Sequence, residues 1–163
     1  MTTHENTTPD ALVPAPVQRI SLPEQAAEFY AAMIKLDRAA RTDVDPTLAE
    51  LVKIRASQIN GCAFCLDMHT TDARAQGEQE HRIHTLPAWR ETPYFTAKER
   101  AALALTEAVT LVTDGHVPDA VYDEAAKLFD QRELGQLIAL IIAINSWNRI
   151  AIATRLSPAP KQA

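Results

Sequence analysis

The sequence predicts an all-α domain, and three observations carry that prediction. Glycine is scarce, at 4 residues in 163, and long stretches contain neither glycine nor proline, which favours helix. The breakers that do occur fall where helix start and stop signals fall. Apolar residues recur at helical spacing, and no alternating strand pattern or hairpin turn stands out.

Taken in chain order, the first helix is expected at about 22–40, opened by the capping-box pattern Ser21-Leu22-Pro23-Glu24. A second, at about 46–60, starts from Asp45-Pro46, an N-cap followed by proline at the first helical position, and stops at Asn60-Gly61. The third, about 62–76, ends before Gly77, where a left-handed cap is wanted, and a short fourth is placed at about 79–86. Pro87 and Pro93 bracket a connector. A helix at about 97–113 begins with Thr96-Ala97-Lys98-Glu99, a second capping box, and stops before Gly115; Ala101, Leu105, Ala108, Val109 and Val112 fall on one of its faces. Pro118 opens a helix at about 118–129. The last, about 132–156, contains the run Leu137–Ile144, apolar all round. Trp147, Ile150 and Ile152 extend the pattern too far for a strand, so it reads as a buried central helix.

Length and composition suit one domain over 20–156, with 1–19 and 157–163 as proline-bearing flexible tails. A net charge of −5 without any basic run gives no reason to expect nucleic acid or an anionic membrane surface. The run Leu137–Ile144 is too short to cross a bilayer. The first residues lack a basic region followed by an apolar one, so no secretory signal is expected and the cytoplasm is the expected setting. Thiols are kept reduced there. The 2 cysteines, Cys62 and Cys65, enclose so short a loop that a bridge would add little as a staple. Their spacing points to redox chemistry or a metal.

The segment Glu50–Arg74 concentrates the chemistry. Cys62 opens a helix, where unpaired N–H groups and the positive end of the dipole favour thiolate, the species that attacks peroxides and disulfides. His69 lies one turn beyond Cys65 and about two turns beyond Cys62, on the same face, placed to exchange a proton with either sulfur. If the helices flanking Gly61 run antiparallel, a rise of about 1.5 Å per residue puts Glu50 roughly 15 Å from the turn, His69 roughly 12 Å and Cys65 roughly 6 Å. Glu50 then stands beside His69, giving the order carboxylate, imidazole, thiol of an activated cysteine.

These residues resemble the signature of the AhpD and carboxymuconolactone decarboxylase superfamily, E-x11-C-x2-C-x3-H, met by Glu50, Cys62, Cys65 and His69. The surrounding RASQINGCAFC is similar to that family too, as are LPAWRETPYFTAKERAALALTEAVT and INSWNRIAIATR, so the resemblance runs from about Ile20 to Leu156. It implies an AhpD-like helical fold, a homo-oligomer (trimer or hexamer), and hydroperoxide reduction without metal or other cofactor. In that mechanism Cys65 attacks the peroxide and becomes a sulfenic acid, Cys62 resolves it to a disulfide, and Glu50 and His69 relay protons. A dithiol reductant, lipoyl-bearing or thioredoxin-like, restores the thiols. The best-known peroxidases of the family carry a second histidine just before the second cysteine. Here that position is Phe64, which cannot relay protons.

Other readings stand beside this one. A disulfide oxidoreductase or redox-sensing oligomer of the same fold would use the same pair with little peroxidase activity. Zinc held by Cys62, Cys65, His81 and His84 would need an unusually short histidine spacing. Arg55 falls on the apolar stripe of Leu48, Leu51, Val52 and Ile59 and is expected to pair with a carboxylate; Trp147, Asn148 and Arg149 read as structural residues near the site.

Overall fold

The structure is a computed structural model and describes residues 13–159. The outer parts of both expected tails, residues 1–12 and 160–163, lie outside the described residues. The chain is all-α among the described residues: α1 (Leu22–Gln25), α2 (Ala27–Ala40), α3 (Pro46–Asn60), α4 (Ala63–Ala75), α5 (Glu80–Thr85), a 3₁₀ segment (Leu86–Glu91), α6 (Ala97–Thr110), α7 (Asp119–Leu128) and α8 (Gln131–Thr154).

Local chemistry explains most of the boundaries. The Asp45 carboxylate accepts the Leu48 N–H at 2.9 Å, and Pro46 occupies the first helical position. Thr96 and Glu99 close the expected capping box on α6, and an unforeseen second box, Asp130 with Glu133, sets the start of α8. The box expected at Ser21 does not form: its side chain makes no cap bond, and the helix expected at 22–40 breaks at Ala26 (φ −141°, ψ 55°) into α1 and α2. Pro87 sits inside the 3₁₀ segment that extends α5.

α3 is the centre of the packing. It lies against α4, α6 and α8, and Leu51, Val52, Ile54 and Ala56 have no exposed surface. On one side Leu48 and Val52 pack with Ala102, Leu105, Leu137 and Ile141 of α6 and α8. On another, Leu51 and Ile54 pack with Ala73, Ile83, Leu86, Trp89 and Leu103. A third cluster, Ala56, Cys62, Cys65, Ile144 and Ala151, surrounds the cysteines.

The 24 residues of α8 are long and apolar enough to cross a membrane by length and composition, which the shorter run Leu137–Ile144 did not suggest. Half of that apolar window is buried inside the protein, and it includes the buried amides Asn145 and Asn148, so α8 is the core helix of this domain.

Arg55 finds the carboxylate expected of it. Glu107 of α6 accepts from Arg55 Nε at 2.9 Å, from Trp89 Nε1 at 2.8 Å and from Arg90 at 2.5 Å, tying α3, α6 and the 3₁₀ segment together. Glu107→Ala strips a carboxylate from two guanidinium groups and an indole N–H, and is expected to cost about 2–3 kcal/mol in urea denaturation. Asp45→Ala, which removes only a cap, is expected to cost about 1 kcal/mol.

Candidate functional site

The turn between α3 and α4 builds the site. Gly61 adopts left-handed angles (φ 68°, ψ 33°), its N–H bonds to Gln58 O at 3.3 Å, and the Cys62 N–H bonds to Ser57 O at 3.0 Å. This is a Schellman cap, and the glycine is there because a side chain would strain the left-handed angle. Cys62 thereby closes α3 while serving as the N-cap of α4, its carbonyl accepting the Leu66 N–H at 3.0 Å. The two helices pack against each other along this turn, bringing Glu50 of α3 alongside His69 of α4.

His69 Nδ1 and Glu50 Oε2 are 2.9 Å apart, both side chains buried. Sequence reasoning missed the third member. Lys53, only 3% exposed, donates from Nζ to Glu50 Oε1 at 2.7 Å. Burial, the largest single influence on Glu50, works to raise its pKa. The hydrogen bonds from His69 and Lys53, with their charges, outweigh it and hold the carboxyl below the ordinary glutamate value. A charged Glu50 accepts from Nδ1–H, which leaves Nε2 as the His69 nitrogen able to exchange a proton.

Both cysteines are unbridged and buried. Their environments differ. Cys62 is pushed down to about 6, first by the hydrogen bond from Cys65. Burial opposes this, while the backbone N–H groups of Cys65 and Phe64 and the amide of Asn148 assist. Cys65 is pushed up, first because it donates to Cys62, then by burial and by the neighbouring negative charge. In the reduced pair, therefore, Cys62 carries the charge and Cys65 the shared proton.

Access runs the other way. A cavity of about 450 Å³ opens beside α4 and is lined by Cys65 and His69 but not by Cys62. Its walls are mostly apolar, with Leu22, Ile34, Phe64, Met68, Ile150 and Leu156, and Tyr30 and Trp147 meet edge to face in them at 5.4 Å. Lys53, Asp37, Arg41 and Asp72 supply its charged lining, and Gln18, Ser21, Leu22 and Pro23 also contribute. The segment leading there is held by the Arg19 N–H, bonded to Thr154 O at 2.9 Å.

Among the described residues, one group of potential metal ligands comes together, Glu50, His69 and exposed Asp72, with ligand atoms within 4.8 Å of one another. The Lys53 ammonium on Glu50 Oε1 opposes a cation there, and both Glu50 oxygens are already engaged. The zinc set considered from sequence is not assembled. His81 and His84 are exposed on α5, where His81 meets Tyr94 edge to face and His84 faces Glu80.

The family model for the carboxymuconolactone decarboxylase family matches residues 25–108. The chain is 44% identical over 137 residues to YdfG, an uncharacterised protein of Bacillus subtilis (strain 168), covering 83% of this chain and 93% of that one. Among solved structures it is similar to a protein of unknown function from Agrobacterium tumefaciens, for which AhpD-type antioxidant defence is the suggested role. That match has a TM-score of 0.85 and 35% identity, and covers 88% of this chain and 100% of that one. The debrominase Bmp8 shares the fold at a TM-score of 0.67 with 20% identity, covering 81% of this chain and 69% of that one.

Two measurements test the electrostatics. Thiolate absorbance of the reduced protein is expected to rise with a midpoint of about 6, that step to be lost in Cys62→Ser, which leaves only the ionisation of Cys65, and the midpoint to climb toward an ordinary thiol value in Cys65→Ala, which removes the main donor to Cys62. Lys53→Met leaves the buried Glu50 carboxylate without its ammonium partner and is expected to cost about 3 kcal/mol in denaturant unfolding at neutral pH.

Proposed function

Because the chain belongs to the carboxymuconolactone decarboxylase family, in its AhpD-like group, we propose that it is a thiol-dependent peroxidase that reduces hydroperoxides through Cys65 and Cys62. The observation that carries this reading is the placement of Cys65 on the cavity wall with His69, whose other face is held by a charged Glu50, and with a thiolate-forming Cys62 against its back.

The steps follow from that placement. His69 Nε2 takes the Cys65 proton as the sulfur attacks the terminal peroxide oxygen. The O–O bond breaks, Cys65 is oxidised to a sulfenic acid, and the leaving alkoxide takes the proton back from His69 and departs as an alcohol. The Cys62 thiolate then attacks the Cys65 sulfur. A disulfide forms, and the hydroxide released takes up a proton to leave as water. An external dithiol reduces the disulfide by exchange through a mixed disulfide and is itself oxidised. Access decides between the sulfurs: both are almost fully buried, but only Cys65 lines the cavity, so in this reading Cys62, the better thiolate at rest, resolves and does not attack first. The proposal includes a homo-oligomer, to which the exposed Ile142 and Ile152 of α8 offer apolar surface, and the cytoplasm as the setting in which a dithiol reductant is at hand.

A second reading, a disulfide oxidoreductase with little peroxidase activity, is favoured by Phe64, which lines the cavity where the best-known peroxidases have a histidine. One experiment separates them. Reduced wild type, Cys62→Ser and Cys65→Ser are mixed with hydrogen peroxide or an organic hydroperoxide, and thiols and sulfenic acid are counted. The peroxidase gives a disulfide in wild type, a trapped sulfenic acid in Cys62→Ser and no rapid loss in Cys65→Ser. Thiols that survive every peroxide yet exchange readily with a dithiol's disulfide would replace the first reading by the second.

A further inference from the structure

Beside the cysteines and off the cavity wall lies a set of mutually hydrogen-bonded amides. Asn148 of α8 has no exposed surface. Its Oδ1 accepts from Asn60 Nδ2 at 2.8 Å and its Nδ2 donates to Ser57 Oγ at 3.0 Å; the Ser57 carbonyl in turn accepts the Cys62 N–H at 3.0 Å, which sets the amide beside the cysteines, where it favours the charged form of each sulfur. Which end of the Asn148 amide faces the sulfurs decides what it can do, because an N–H would favour a thiolate and a carbonyl would repel one.

The neighbours settle the orientation. Asn145 Nδ2 donates to the Ile141 carbonyl at 2.9 Å, and a carbonyl can only accept, so Asn145 Oδ1 must be the end that points toward Asn60. Arg149 confirms it, since its guanidinium, a pure donor, lies 3.0 Å from that same Oδ1. Asn60 must then present its N–H₂ to Asn145, at 3.0 Å, and the same N–H₂ meets Asn148 Oδ1. Asn148 is left with Nδ2 toward Ser57 and the sulfurs. It has two N–H bonds; Ser57 takes one, and the other is free for sulfur.

We propose that Asn148 adds a side-chain donor to those of Cys65 and the backbone, helping to hold the charge of the reduced pair and so tuning its redox poise, with Asn60 and Asn145 locking the amide in the donating orientation. This inference rests on the redox reading of Cys62 and Cys65. An N–H donor to a thiolate stabilises the dithiol form, because the disulfide presents only a weak, uncharged acceptor. Two electrons and two protons convert disulfide to dithiol, and any group that favours ionisation of the dithiol makes the disulfide easier to reduce. The other charged groups on the surrounding helices, Glu50 and Lys53 of α3, His69 of α4 and Arg149 of α8, are unchanged in the variant below.

The test is Asn148→Asp, nearly the same shape, which still accepts from Asn60 but replaces the donor with an acceptor. The thiolate midpoint of Cys62 is expected to rise by at least one unit from about 6. The glutathione equilibrium of the pair at pH 8 is expected to shift roughly tenfold toward disulfide, which is about 30 mV lower in potential. A second measurement needs no variant. In ¹⁵N-labelled wild type, the Asn148 side-chain amide protons are expected to shift with pH through the Cys62 midpoint when the pair is reduced, and to stay fixed when it is oxidised. An amide that ignores the state of the pair, with both midpoint and glutathione equilibrium unmoved in Asn148→Asp, overturns the assignment. Neither measurement uses a peroxide, so a protein that consumes none would sink the peroxidase reading and leave this one standing or falling on its own.

Discussion

Burial of α3 is the constraint on which the rest of the molecule depends. A helix packed against α4, α6 and α8 has little solvent face left, yet α3 carries Glu50, Lys53, Arg55 and Ser57. Each of these would cost several kcal/mol if left unpaired in the interior, so each must be met from a neighbouring element or from α3 itself. Arg55 is met by Glu107 of α6, Ser57 by Asn148 of α8, and Glu50 by His69 of α4 and by Lys53. The relay and the amide set behind the sulfurs are thus two solutions to one problem, the satisfaction of polar groups on a covered helix. No buried side-chain nitrogen or oxygen among the described residues lacks a partner.

What could be read from the sequence was what depends on neighbours in the chain. Asp45-Pro46, Thr96 with Glu99, and Asn60-Gly61 are local devices, and they form as read. The pairing of Glu50 with His69 was legible because one tight turn fixes the distance along two antiparallel helices. Ser21 misled because a capping box also needs its helix to continue, and the chain turns at Ala26 to bring Leu22 and Pro23 onto the cavity wall. Lys53 was invisible for a different reason. A lysine three residues after a glutamate ordinarily marks an exposed helix face, and only the arrival of other helices turns that surface pair into a buried one. Asn148 was read as structural, and its approach to the sulfurs depends on where α8 crosses α3, which no local pattern encodes.

Charge and access are divided between the two sulfurs, and the division follows from their places on α4. Cys62, as N-cap, meets the free N–H groups of the first turn, with Asn148 beyond, and is walled from the cavity. Cys65, one turn on, points past those donors to the cavity and to His69, one further turn along the same face. Holding the negative charge on the sheltered sulfur keeps it available for the second step of the proposed reaction while the sulfur that lines the cavity stays protonated, and a protonated thiol is the less easily oxidised form.

Phe64 then changes the kinetics of the proposed reaction more than its stoichiometry. Attack by Cys65 releases one proton, and departure of the alkoxide consumes one. A single imidazole that can both take and give therefore closes the first step without a second histidine. Resolution begins from Cys62 already ionised and needs only a proton for the departing hydroxide, which His69 or water can supply. What Phe64 removes is a second proton donor at the sulfur. What it adds is apolar lining, with Met68, Trp147 and Ile150, and in the proposed reaction that lining suits an oxidant with a hydrocarbon body better than one that is fully hydrated. In that proposed reaction the Glu50–His69 pair, backed by Lys53, is left as the relay, with His69 and Lys53 on the cavity wall and Glu50 behind them, and its integrity bears directly on how the Cys65 thiol loses its proton.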